Sequence, residues 1–335
     1  MADLKLTMGF TDYDHIRDLF SGRVKPEGID LTCLRMEVEE SFLRFLKFQE
    51  WDVSEMSLGM ATAAVVKGNA PFVILPVFPS RVFRLSGVYI HANGRIKKPE
   101  DLRGARVAVP QWAQTATIFM RGWITDTLGI PLNEINWVQQ GANVPGRIDT
   151  SSVRAPAGVS LTDLDAGANI GEMLANGEID ALLAASPPRL FEQGDPRIVR
   201  LFPDHIGVEQ DYFAKTGIYP IMHTVVIKRE SYERDPWIAR NMFNAFEEAK
   251  HRSIERIHDL GVSQVILPWL PALFEKYKKM LFPHGDYWPY GIEKNRTTLE
   301  AFVKFSYDQG IIARKIPLEE LFCKEAQEPF TRLRL

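Results

Sequence analysis

Hydrophobic and polar positions alternate in blocks along the N-terminal part of the chain. Leu4–Phe10 and Ile29–Arg35 follow a two-residue period and predict strands, Asp14–Phe20 predicts a short helix, and Glu39–Phe48 sets Phe42, Phe45 and Leu46 on one helical face. WDVSEMS predicts a buried strand ending in polar residues, followed by a helix from Leu58 to Lys67 and a strand over Phe72–Val77. Strands interleaved with helices at this spacing imply an α/β fold with a mostly parallel sheet flanked by helices, whose ligands bind beyond the carboxyl ends of the strands. Those ends, Thr11–Asp14, Ser54–Ser57 and Phe78–Arg84, are expected to converge.

After His91 the pattern breaks into a polar Gly, Lys and Pro stretch and restarts as a strand at Arg106–Val109. A helix over Thr115–Leu128, a strand over Ile135–Val138, an irregular segment from Gly141 to Ser160, a helix over Ile170–Asn176 and a strand over Ala181–Ala185 come next. The strand pattern returns at Tyr219, in YPIMHTVVI, and the remainder is helical, including Asp235–Ile257 and Glu293–Gln309. A chain that leaves one α/β lobe, completes another and comes back crosses twice, so residues 1–92 plus 219–335 are expected to form lobe I and 93–218 lobe II, with an interlobe cleft. The Gly141–Ser160 segment, with Arg147 and Arg154, is too long for an ordinary connector and reads as a lid or a partner's contact.

Composition narrows the partners. The 335 residues suffice for two cores, and a net charge of −3 without a basic run disfavours nucleic acid. Cys33 and Cys323 form no CxxC pair, which points away from a zinc ribbon and a disulfide framework and toward a reducing compartment. No segment reaches a membrane span, and the first residues carry no leader pattern, so the expectation is a soluble cytoplasmic protein, with a homo-oligomer left open.

The strongest local chemistry lies in LPVFPSRVFRLSGVYIH. Pro76 and Pro79 stop strand pairing, which places Arg81 and Arg84 on a loop edge, where a planar guanidinium can grip a carboxylate bidentately. Solvated arginines or surface ion pairs are the plainer alternative. His251, Glu255 and His258 share one helical face, which suits either a metal or a solvated surface, and the charged neighbours favour the surface. No HExxH, GxSxG, Walker loop or GxGxxG occurs, and Asn295-Arg296-Thr297 matches a glycosylation acceptor.

Two lobes with PEDLRGARVAV opening the second resemble the type 2 periplasmic-binding-protein fold. DVSEMSL, PVFPSRVFR, GIYPIMHTVVI and DYWPYGIEKNRTTLEAF further resemble the 4,5-dihydroxyphthalate decarboxylase family across nearly the whole chain. Where that family's segment often continues FRHS, this chain has Phe83, Arg84, Leu85 and Ser86, which bears on the identity of the substrate. The resemblance implies a lyase that removes CO2 from a dihydroxylated aromatic dicarboxylate, giving 3,4-dihydroxybenzoate, with no cofactor and no metal. A solute-binding protein for a small aromatic or carboxylic acid, or a same-fold enzyme for another small acid, is the alternative.

Such a decarboxylation needs an acid/base pair and a clamp. His223, in the returning strand with Tyr219 beside it, and His284, in the aromatic loop FPHGDYWPY, are the candidate acids, with His91 at the first crossing behind them. Glu55, between Ser54 and Ser57, is the candidate base for a phenolic hydroxyl, or else a partner of Arg81. Ser57, Arg81, Arg84 and Tyr219 are candidate substrate contacts. Gln111, Trp112 and Thr115, at the start of the second lobe's first helix, suit a carboxylate or an ordinary helix cap, with Trp112 offering apolar surface to the departing group.

Overall fold

The computed structural model describes residues 3–141, 153–259, 261–262, 264–283 and 285–327. Its strands are β1 (Leu4–Phe10), β2 (Ile29–Arg35), β3 (Val53–Ser57), β4 (Phe72–Leu75), β5 (Val88–His91), β6 (Arg106–Val109), β7 (Asn136–Gln139), β8 (Leu161–Asp163), β9 (Ala181–Leu183), β10 (Ile198–Arg200) and β11 (His223–Lys228). They form two sheets, ordered β2-β1-β3-β11-β4 and β10-β5-β9-β6-β7-β8.

The chain divides into two compact units. The first comprises Met1–Arg81, His223–Leu299 and Ile316–Leu335; the second comprises Val82–Met222 and Glu300–Lys315. These limits differ from the expected 1–92, 93–218 and 219–335. Val88–His91, placed in lobe I because the polar linker-like stretch begins only after His91, pairs with β9 and β10 and belongs to the second unit's sheet. Residues 300–315, the later part of the helix Arg296–Asp308 together with the turn beyond its C-terminus, return to the second unit, an excursion with no turn signal to announce it.

Each sheet is mixed through a single reversed strand. In the first, β11 runs antiparallel to both β3 and β4; in the second, β5 runs antiparallel to both β9 and β10. Both reversed strands come after a passage of the chain from one unit to the other. A strand that enters without a crossover helix from its own sheet has no requirement to run parallel. In the first unit this reversal sets His223 opposite Ser57 and Val225 opposite Glu55, bringing a late segment onto the carboxyl end of β3.

The core of the first unit lies around β3, which is buried at all five positions. A residue with a Cβ at Gly9 would meet the Trp51 indole, so the glycine permits that close approach. The helices Val38–Phe48 and Leu58–Lys67 bury Phe42, Phe45, Leu58 and Ala61. In the second unit Ala108, Val138, Leu174, Leu182 and Ile198 form one apolar cluster. The three-residue strands β8 and β10 were not expected from the sequence, since three residues carry no readable period, and neither was the helix His205–Thr216. That helix is capped by Asp204, whose side chain accepts from Gly207 N at 3.0 Å.

Candidate functional site

In the first unit, the carboxyl ends of β1 and β3 meet the start of β11. Glu55 is 0% exposed, and its partners come from two distant segments, the turn after β1 and the start of β11. Its Oε1 lies 2.6 Å from His223 Nδ1 and accepts a hydrogen bond from the Tyr13 hydroxyl, while Oε2 accepts from Thr11 N at 3.4 Å. Burial pushes the Glu55 carboxyl up, and the His223 charge with the hydrogen bonds from His223, Tyr13 and Thr11 more than offsets it, so Glu55 ionises below its ordinary range. The His223 side chain is 17% exposed, with the Phe42 ring edge-on at 5.1 Å. A carboxylate on Nδ1 leaves Nε2 as the nitrogen able to pass a proton.

Of the two sequence expectations for Glu55, pairing with Arg81 does not hold: both carboxylate oxygens are engaged by His223, Tyr13 and Thr11. Tyr13 was missed, although Thr11–Asp14 was expected at this location; a tyrosine after a strand carries no signal that its hydroxyl reaches Glu55. Ser57 ends β3 on the face of Glu55, buried and cross-strand from His223.

Arg81 is buried, and its Nη2 donates to Pro289 O at 2.8 Å and to the Asn295 side chain. Its guanidinium ties the 289–295 segment to the strand end. Asn295 is 4% exposed and also donates to Gly291 O at 2.7 Å, so the glycosylation match falls on an enclosed side chain. Nearby, Lys250 Nζ sits 2.8 Å from Glu247 Oε2, 3.6 Å from Asp286 Oδ1 and 4.5 Å from the Tyr290 ring centre. His284 lies outside the described residues, as does Arg147. His251 lies 3.2 Å from Glu247, and among the described residues no group of three or more His, Cys, Asp or Glu side chains is placed to hold a metal ion.

The second unit holds the other candidates. Arg84 Nε lies 3.0 Å from Met222 Sδ, and Nη1 donates to Ala185 O at 3.1 Å. Leu85 is buried, its amide donating to Glu209 Oε1 at 2.7 Å. Tyr219 precedes β11 rather than lying in it, because Pro220 withholds a ladder donor, and its ring stacks on Phe83 at 4.6 Å. Gln111 accepts from the Thr117 hydroxyl at 3.2 Å, and Thr115 opens the helix Thr115–Leu128 in a buried position.

Trp112 offers no apolar surface to a ligand. It is 0% exposed, its Nε1 donates to Gln309 O at 2.9 Å, and the Arg121 guanidinium stacks 3.8 Å from its ring centre. A tryptophan beside a helix start looks the same in sequence whether it faces a ligand or the core. His91 ends β5, with its Nδ1 accepting from Asn93 N at 3.2 Å.

Over 330 residues the chain is 31% identical to a 4,5-dihydroxyphthalate decarboxylase of Comamonas testosteroni, covering 98% of this chain and 99% of that protein. The chain belongs to the 4,5-dihydroxyphthalate decarboxylase family. A second family member, from Pseudomonas putida, is 31% identical over 213 residues, 64% of this chain and 83% of its own length. No family model matches the chain. Among solved structures, the periplasmic aliphatic sulphonate binding protein SsuA of Escherichia coli aligns with a TM-score of 0.53 at 15% identity, covering 97% of this chain and 99% of that one. A sulfonate-binding SsuA of Methylobacillus flagellatus aligns at 0.50 and 12% identity, over 96% and 92%. The two-lobed α/β fold of this decarboxylase-family chain is thus that of periplasmic binding proteins.

Proposed function

We propose that the protein is a carboxy-lyase that removes CO2 from a dihydroxylated aromatic dicarboxylate such as 4,5-dihydroxyphthalate, yielding 3,4-dihydroxybenzoate. The observation that carries the proposal is the 2.6 Å His223–Glu55 contact in a chain of a family named for this decarboxylation. A ring hydroxyl para to the leaving carboxylate supplies electron density, the ring carbon takes a proton from His223 Nε2, and the C–C bonding pair returns to the ring as CO2 departs. Glu55 holds the imidazole by Nδ1 and stabilises its charged form, and the Tyr13 hydroxyl holds Glu55.

The bound carboxylates place a limit on the clamp. Binding that holds the departing carboxylate as tightly in the ground state as in the transition state does not speed its loss, so firm contacts belong on the carboxylate that stays. Ser57 and Arg81 are the candidates for that contact in the first unit, and Arg84, Gln111, Thr115 and Tyr219 stay candidate substrate contacts from the sequence alone. His284 stays a candidate acid from the sequence alone. The free thiols Cys33 and Cys323 fit a reducing compartment, and the proposal includes a cytoplasmic location.

The decisive experiment is incubation with 4,5-dihydroxyphthalate, monitoring CO2 release and the appearance of 3,4-dihydroxybenzoate. Stoichiometric release is the expected result. Tight binding of the diacid with no CO2 would instead favour a solute-binding protein on the same fold.

A further inference from the structure

The turn after β1 carries two polar side-chain atoms that no described residue satisfies. His15 Nε2 and Thr11 Oγ1 are both shut off from solvent and lack a hydrogen-bond partner among the described residues. Enclosed polar atoms are normally paired, because an unpaired one forgoes its hydrogen bonds to water without replacement. Both flank Tyr13, whose hydroxyl bonds Glu55, and Thr11 N itself donates to Glu55 Oε2. The unsatisfied atoms and the His223–Glu55 pair therefore share one short segment of chain.

The His15 ring is fixed on several sides. Its centre lies 5.4 Å from that of Tyr13 and 5.8 Å from that of Trp288, and it reaches the Pro79 carbonyl. Burial, only partly offset by Asp14, lowers its pKa to about 4, so the ring is neutral at pH 7. With Nε2 unpartnered, the bond to Pro79 falls to Nδ1, which fixes the tautomer and leaves Nε2 as an acceptor. A bare acceptor beside an aromatic-lined turn calls for a hydroxyl donor.

We propose that His15 Nε2, with Thr11 Oγ1 four residues earlier in the same turn, receives a ring hydroxyl of the substrate, making this turn the element that selects hydroxylated over unsubstituted aromatic acids. The assignment rests on the decarboxylase reading and extends it to specificity. A site built to bond a hydroxyl rejects the analogue lacking it, because the buried partner is then left unpaired. It also carries an inverse signature in stability. Because Thr11 Oγ1 bonds no described residue, Thr11→Val should leave the melting temperature unchanged or raise it, whereas a structural hydroxyl would lower it.

The test is equilibrium titration of wild type, His15→Phe, His15→Gln and Thr11→Val with 3,4-dihydroxybenzoate and with benzoate, beside turnover of 4,5-dihydroxyphthalate. The expected result is a wild-type preference for the dihydroxy acid that falls at least about tenfold in His15→Phe, with benzoate affinity unchanged and part of the preference restored in His15→Gln. Thr11→Val should reduce the same preference without loss of stability. Folded His15→Phe and Thr11→Val proteins with an unchanged preference would overturn the assignment, leaving a buried water as the occupant of Nε2 while the decarboxylase reading stands. If His15→Phe does not fold, Thr11→Val decides alone. Wild-type protein that neither releases CO2 nor binds either acid would overturn both.

Discussion

The first unit buries a carboxylate against a histidine, and the second buries an arginine against no carboxylate. Glu55, His223 and Tyr13 form a chain of hydrogen bonds in which opposite charges compensate each other. Arg121 is equally enclosed, but its partners are Gln309 Oε1 at 2.8 Å, Trp112 O at 2.5 Å and the faces of Trp112 and Trp137. No carboxylate among the described residues pairs with it. Burial alone lowers its pKa from the ordinary arginine value. A buried carboxylate–imidazole pair contains a ring nitrogen that can give or take a proton; a lone guanidinium holds its proton and can only organise what surrounds it. Enclosure alone thus does not mark a catalytic group, and the nature of its partner does.

The sharpest way to break this contrast is His223→Gln. If His223 delivers the proton, kcat should fall by about 10²- to 10⁴-fold while equilibrium substrate affinity moves less than about tenfold. Near-normal turnover in folded variant protein would remove the His223–Glu55 pair's claim to the chemistry and leave His284 as the candidate acid. Arg121→Ala should do the reverse. Leaving Gln309 Oε1 and Trp112 O unpaired, with two indoles uncovered, should lower unfolding free energy in urea by about 3 kcal/mol or more. Its folded fraction should turn over at the wild-type rate, and a catalytic defect there would erase the distinction between the units.

Glu55→Gln sharpens the first half of the comparison. An amide keeps the shape but loses a charge-assisted bond to the imidazolium, so kcat should fall about 10- to 100-fold, less than for His223→Gln. A loss larger than that of His223→Gln would make Glu55 the proton carrier and His223 its support.

Acidity should weaken the first unit. His15, which faces Asp14, Lys250, Glu55 and the Pro79 carbonyl, titrates near 4 when folded against 6.5 as a free side chain. The unfolded chain therefore binds more protons between these values, so the stability contributed above pH 6.5 is lost as pH falls toward 4. Glu55, held below its ordinary value, adds loss of the same sign at lower pH. Between pH 7 and 5 the His15 share should be about 1 to 2 kcal/mol, seen as a urea midpoint shift that shrinks in His15→Phe. An equal shift in that variant would assign the effect elsewhere. The smallest change is expected from Lys304→Ala, which removes an exposed pair 2.9 Å from Asp126 and should cost about 0.5 kcal/mol or less in the same assay.

Periodicity made β1, β2 and the helix Val38–Phe48 legible, because a half-buried element writes its buried face into its own residues, and β3 was legible as a buried run ending in polar residues. Their order fixed the α/β class, and the phrases around Glu55, Arg81 and His223 pointed to the family that similarity over 98% of the chain establishes. The convergence of Thr11–Asp14 with Ser54–Ser57 was implied by strand direction. Tertiary structure decided the rest: that β5 joins the second sheet, that 300–315 returns to the second unit, and that Trp112 is core. It also decided that Glu55 takes Tyr13 and His223 instead of Arg81, and that His15 Nε2 has no partner among the described residues. Local sequence encodes which face of an element is apolar, but a hydrogen bond between residues 55 and 223 depends on a strand register set by the whole sheet, and no local pattern records it.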